Sequence, residues 1–513
     1  MLTPLSSDKW TRKTADHLLN RAAFGESPSA REELYQLGRT QGVQAAIDSL
    51  VNPSENWSST ADPEWSTEED PNGDIFGNSS ERRYDLVRWY LSMLKDAQPL
   101  AAKLLKFFVD HFSVNHNTSR NETRFMYFIR FLKLLRKHAA GDLNSEGNYG
   151  KFSTLVNQVS WSEAMIDTLD LDTSSASEIN ENFGRELLEL FTMGVHGGYT
   201  ENDVGAAAEA FTGRRLYRMQ SPHPEASQIN ENWLAPLGTT MATSYQDTSR
   251  QDLLPKTFLN QSRMPDRSTI ADGDDILELI FNDIECSKHL VWKLWRYFVS
   301  PEIDDTILTE LATRFRDEYQ YDVRLLLNEV FMSETFYSES VMGSQIKDSG
   351  DMFISLLKKL EMDLPPARSC YTLCERLNYN PLFPPNIAGW PEPEAQGNGW
   401  MGSGSLLFRI NMPSIWVQGN YDALDDWNSR NEMIEAEQFE IESIIPRELW
   451  ESDNFPLLIA KLSDRFIPTV SLRKSQIRIF YDRFQKTAQY MDTQEAVKET
   501  LRLFLALPEF QMQ

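Results

Sequence analysis

The chain has 513 residues, longer than a single hydrophobic core usually grows, and 41% of them are apolar and 11% aromatic, which excludes a disordered chain. With 50 Lys and Arg against 76 Asp and Glu it carries a net charge of −26, a field that repels phosphate backbones and anionic lipid, so no nucleic acid and no membrane surface is expected as a partner. No stretch approaches the roughly 18 uninterrupted apolar residues of a membrane span, and no apolar run with basic flanks opens the chain; the expectation is a cytoplasmic protein, or an exported one whose leader has been removed.

The 3.6-residue period dominates, so the expected fold is mainly α: a multi-helix globular array with long irregular loops and at most a small β-hairpin. In chain order the spacing predicts helices over residues 15–24, 31–36, 83–95, 100–112 and 123–139. On the fourth of these, His111 shares a side with Leu104, Phe107 and Phe108, away from Lys103, Lys106 and Asp110. It is read either as a neutral core histidine with one hydrogen bond or as a ligand or general base. A basic run leads into and along the fifth, Arg120, Arg124, Arg130, Lys133, Arg136, Lys137 and His138, read as a solvated face or as a dock for an acidic partner.

Helices follow over 161–169, 182–193 and 203–211. Thr200 and Asp203 have the spacing of a reciprocal helix cap, and Gly194, Gly197 and Gly198 make the preceding connection tight. Later helices are expected over 276–281, 287–299, 305–316, 322–332, 353–360, 472–490 and 494–505. Irregular insertions occupy 53–80 and 214–274, the second with room for a short hairpin. Residues 1–417 are expected to form the main helical body and 418–513 a C-terminal helical subdomain packed on it, divided by the polar stretch 418–440. Cys286, Cys370 and Cys374 read as core thiols, with no disulfide framework indicated.

Residues 180–194, Asn-Glu-Asn-Phe-Gly-Arg-Glu-Leu-Leu-Glu-Leu-Phe-Thr-Met-Gly, followed by Tyr199, Thr200, Asp203, Val204 and the Phe-Thr-Gly of 211–213, resemble the signature of the family called domain of unknown function 1800. Further matching segments are 18–25, 108–115, 164–170, 255–259, 384–390 and 508–511. The resemblance implies a large helical bacterial protein, often encoded beside a companion of the family called domain of unknown function 1501, itself similar to sulfatases and phosphatases. This chain departs from the family at Gln251, where a His is common, and at Asn260, where a Gly is common.

A helical wheel puts Asn182, Arg185, Glu186, Glu189 and Met193 on one side of the signature helix and Phe183, Leu187, Leu188, Leu190 and Phe191 on the other. The polar side is read as a solvated face in which Glu181 pairs with Arg185, or as a buried cluster. As a cluster, Arg185, Glu186 and Glu189 with His111 are the candidate catalytic residues, Asn182 a ligand-binding residue, and Glu186, Glu189 and Asp170 the candidate ligands of a divalent cation, Mg, Ca or Mn. The Pro- and Gly-rich loop from 384 to 404 holds Trp390 and Trp400, read as staples or as a ligand platform, for example against a sugar ring. No phosphate loop, dinucleotide fingerprint, Gly-x-Ser-x-Gly, His-Glu-x-x-His or Glu-x-x-His is present.

Two functions stay open. The leading one is a binding or scaffold protein working with the sulfatase-like companion, which predicts a broad apolar or basic surface patch. The alternative is a metal- or acid/base-assisted enzyme, which predicts that His111, Asn182, Arg185, Glu186 and Glu189 converge in one pocket.

Overall fold

The computed structural model describes residues 2–52, 62, 79–114, 122–141, 149–218, 242–266, 268–390, 402–417 and 439–513. The chain is mainly helical, as its periodicity requires. It opens with α1 (Arg12–Ala22), α2 (Pro28–Gln41) and α3 (Val43–Val51). Thr11 and Thr14 cap α1 reciprocally, and Ser27 caps α2 just ahead of Pro28. Next come α4 (Ser79–Asp96), α5 (Pro99–His111) and α6 (Glu122–Ala140). Helix α5 packs against α1, α3, α4 and α6 and is buried on every side, Lys103 and Lys106 included.

Two short helices, α7 (Phe152–Ser160) and α8 (Glu163–Thr168), lead to α9 (Asn182–Glu186). There the backbone widens into a π turn over Leu187–Thr192, where the Met193 N–H donates to the Leu188 carbonyl at 3.0 Å. Helix α10 (Glu201–Ala210) returns against α9, and the expected cap is present, with the Thr200 N–H donating to Asp203 Oδ2 at 2.8 Å. Gly184 lets the two backbones touch: a Cβ there would stand 2.8 Å from the Ala208 nitrogen.

Strands β1 (Arg214–Arg218) and β2 (Ala242–Gln246) form the expected hairpin, antiparallel with Arg214 opposite Gln246 and Leu216 opposite Ser244. The other insertion, 53–80, lies almost wholly outside the described residues. Helices α11 (Gly273–Asn282), α12 (Ile284–Phe298), α13 (Asp305–Asp317), α14 (Val323–Phe331), α15 (Ser349–Leu360) and α16 (Ala367–Arg376) follow. After them come α17 (Ser403–Asn411), α18 (Pro413–Val417), α19 (Ile441–Ile444), α20 (Phe455–Phe466), α21 (Lys474–Tyr490) and α22 (Thr493–Leu505).

Buried apolar residues form a continuous core from Leu5 to Phe510. The last 75 residues lean on the body through charged groups as well: Arg465 of α20 reaches Glu361 at 2.6 Å, and the buried Lys347 ammonium donates to the Phe510 carbonyl at 2.7 Å. The expected boundary at 418–440 falls mostly outside the described residues. Among the described residues no helix is long and apolar enough to cross a membrane.

Candidate functional site

The signature helix presents its polar stripe as an ion-pair cluster centred on Arg185. The guanidinium lies 2.7 Å from Glu201, 3.3 Å from Glu181 and 3.4 Å from Glu189. Glu186 is half-buried, and burial together with the neighbouring Glu189 raises its carboxyl above the usual range. Asn182 is exposed, and its N–H donates to Asn180 Oδ1 at 3.0 Å. Asp170 is exposed in the left-handed region and is not among the charges that act on Glu186. No three His, Cys, Asp or Glu side chains are placed to hold a metal ion among the described residues.

His111 stands apart from this stripe. Its Nε2–H donates to the Phe191 carbonyl at 3.0 Å, at the end of the π turn, and its ring packs among Phe107, Phe112 and Phe152. Burial lowers its pKa well below the ordinary value, so it is neutral. No hydrogen bond or ion pair joins it to Arg185, Glu186 or Glu189. Three residues of the basic run on α6 are paired with acids: Arg130 meets Glu163 at 3.0 Å, and Lys133 and Arg136 both meet Asp62, at 3.0 and 2.7 Å. Cys286, Cys370 and Cys374 are free and buried.

Of the expected ligand residues, Trp390 lines a cavity; Trp400 lies outside the described residues. The cavity is a partly open cleft of about 150 Å³ between α4, α5, α12 and the start of α15. Two helices place charges in and beneath its floor with matched spacing. Helix α5 offers Lys103 and Lys106, and the start of α15 offers Asp348 and Asp351, each pair three residues apart. Lys103 Nζ is 2.6 Å from Asp351 Oδ2, and Lys106 Nζ is 3.3 Å from Asp351 Oδ1 and contacts Asp348. Asp348 also caps α15, accepting the Asp351 N–H at 2.9 Å. Burial pushes the Asp351 carboxyl up, but the two ammonium groups outweigh it and hold it at about 2.

Asp110 stands at the end of this floor. The Trp390 N–H donates to its Oδ1 at 2.9 Å, and no hydrogen bond reaches its other carboxylate oxygen. The approach depends on Gly389, which sits at φ 88° and whose Cβ, were there one, would lie 2.4 Å from that Oδ1. Burial raises the Asp110 pKa against the opposing pull of the Trp390 N–H, Lys293 and Lys106.

A model of the family described as protein of unknown function DUF1800 matches residues 17–512, nearly the whole chain. The chain belongs to the DUF1800 family. No curated protein and no solved structure matches it. In this DUF1800 chain two of the segments that carry the family resemblance, 108–115 and 384–390, meet at the Asp110–Trp390 hydrogen bond. Asn260 takes φ 61° beside Leu259 at φ 48°, the left-handed backbone that a Gly adopts freely and an Asn tolerates.

Asp110, Lys106, Asp348 and Asp351 are absent from the sequence-based set of site residues. A signal for the first two was present. Leu100, Ala101, Ala102, Leu104, Leu105, Phe107, Phe108 and Val109 are too many apolar residues for one face of a helix, so its charged residues had to be buried with them.

Proposed function

We propose that this chain binds a small polar ligand in the Asp110 cleft and acts on it by acid–base chemistry, with Asp110 giving or taking the proton. One observation carries the reading: the Asp110 carboxyl has one oxygen pinned by the Trp390 N–H and the other open beside a cavity. Burial raises its pKa above the ordinary carboxylate value, which favours the proton-bearing form. The neighbouring Lys106 is tied to Asp348 and Asp351, which keeps a fixed positive charge beside the acid.

Asp110→Asn tests this, because the amide oxygen still accepts the Trp390 N–H while the proton-transfer function is lost. Incubating wild type and variant with pooled small metabolites, followed by mass spectrometry, should show turnover falling by roughly 10²–10⁴-fold with the melting temperature within a few degrees of wild type. Equal turnover by both proteins would remove Asp110 from the chemistry.

A second reading, a scaffold that docks the sulfatase-like companion of the 1501 family, draws on exposed apolar side chains beside the signature unit. Leu253 and Leu254 are 62% and 71% exposed, and the Ala176 N–H donates to the Arg250 carbonyl at 2.8 Å, which ties the loop bearing Ile179 to theirs. On this reading Leu253→Asp combined with Leu254→Asp abolishes co-purification of the companion and leaves the melt unchanged. Retained co-purification would sink it.

A further inference from the structure

We propose that the occupant of the Asp110 cleft is a neutral, polyhydroxylated ring the size of one pyranose sugar, stacked on Trp390 and Tyr379. The inference rests on the acid–base reading for the site's location and adds the class of ligand.

The charge balance argues for a neutral ligand. Among the described residues the charged side chains lining the cleft are Lys106, Lys293 and Arg296 and Asp110, Asp348 and Asp351, and Lys106 is already paired with two of the acids. An ion entering such a site competes with pairs already made and leaves one partner uncompensated. A hydroxyl both donates and accepts, so it joins an ammonium to a carboxylate without displacing either.

The unsatisfied groups call for several hydroxyls at once. Tyr90 is fully buried at the cleft wall, and its hydroxyl, beside Tyr379, has no partner at hydrogen-bonding geometry. The second carboxylate oxygen of Asp110 makes no hydrogen bond within the protein and is a further acceptor at the cleft. A buried hydroxyl such as that of Tyr90 is ordinarily paired, and a ring bearing several hydroxyls offers it a partner while also donating to the carboxylate.

Shape and size agree. The Tyr379 and Trp390 rings stand 5.6 Å apart at 48°, and Phe107 and Tyr297, 5.2 Å apart, line the same cleft. Aromatic faces of this kind cover the C–H face of a sugar while the charged floor takes its hydroxyl edge. The volume of about 150 Å³, the share of roughly five waters in the liquid, is on the scale of one ring.

The test titrates the full-length protein with glucose, galactose, mannose, xylose, N-acetylglucosamine and myo-inositol, and with glucose 6-phosphate, glucuronate and inorganic phosphate, following tryptophan fluorescence and calorimetry. At least one neutral ring should bind. Trp390→Ala should weaken it by about tenfold or more, while Trp390→Phe stays within about threefold of wild type. Tyr90→Phe should weaken it severalfold. Near-UV circular dichroism and the melting temperature establish that each variant is folded.

Binding of only the charged probes, with inorganic phosphate competing, overturns the neutral-ring class and leaves the acid–base reading of Asp110 standing. Binding of none of the probes also overturns the class. Neutral-ring binding indifferent to both Trp390→Ala and Asp110→Asn places the ligand elsewhere and overturns the ligand class and the site together.

Discussion

Replacing Asp351 by Ala is expected to destabilise the protein by about 3 to 5 kcal/mol, the cost of leaving a buried charge without its partner. Lys103 and Asp351 are only 1% and 3% exposed at a separation of 2.6 Å, and Lys106 shares the same carboxylate at 3.3 Å. Removing the acid strands Lys103 with the faces of Phe24 and Tyr297, whose centroids lie 4.7 and 5.6 Å from its ammonium. Those contacts recover a small part of the loss, on the order of 1 kcal/mol. The measurement is the urea midpoint at neutral pH, read with the slope so that a change in the unfolded state is recognised. The double variant Lys103→Met with Asp351→Leu should regain most of the stability, because both charges are then gone and the volume is kept. A loss under about 1 kcal/mol in the single variant would mean that water reaches the pair, since exposed ion pairs are worth no more than that.

Gly389→Ala should cost on the order of 2 to 4 kcal/mol, left-handed backbone strain and a forced displacement together. The residue sits at φ 88°, and the new methyl would meet Asp110 Oδ1 at 2.4 Å and the Asp110 carbonyl oxygen at 2.8 Å. Helix α5 is buried on all sides and does not yield, so the segment carrying Trp390 has to move. Three readouts follow from that displacement. The urea midpoint falls, and the tryptophan near-UV signal and any ligand-induced thermal shift weaken, because the N–H no longer reaches Asp110. A variant that melts and binds like wild type would show that 384–390 is not held against α5.

The helical class was legible because most helices carry apolar residues at three- and four-residue spacing, and burying one stripe is the commonest way to satisfy that pattern. The capped α10 was legible from Thr200 and Asp203 alone, since a reciprocal cap is a local hydrogen-bond pattern between residues three apart. Helices α16 and α20, absent from the predicted set, carry equally periodic residues, Cys370, Leu373, Cys374 and Leu377, and Phe455, Leu458, Ile459, Leu462 and Phe466. The first is read as a helix only once cysteine is counted with the apolar residues.

Two wheels misled, each for a physical reason. On the signature helix Met193 is expected on the polar side, yet it is 2% exposed. The π turn over Leu187–Thr192 adds a residue to the turn and rotates everything after it, which a fixed 3.6 period does not register. On α5, His111 was set on the inner face and Lys103, Lys106 and Asp110 on an outer face. Helix α5 has no outer face.

The sequence by itself determined the helical class, the family, most helix positions and the cap of α10, because each depends on contacts between near neighbours or on a motif read along the chain. Only the tertiary structure decided where the chemistry sits. Lys106 and Asp348 are 242 residues apart and Asp110 and Trp390 are 280 apart. Whether a charged residue on a helix faces water or a partner depends on which helix packs over it. In this protein α15 and the 384–390 segment cover α5, which turns a row of apparent surface charges into the floor of a cleft.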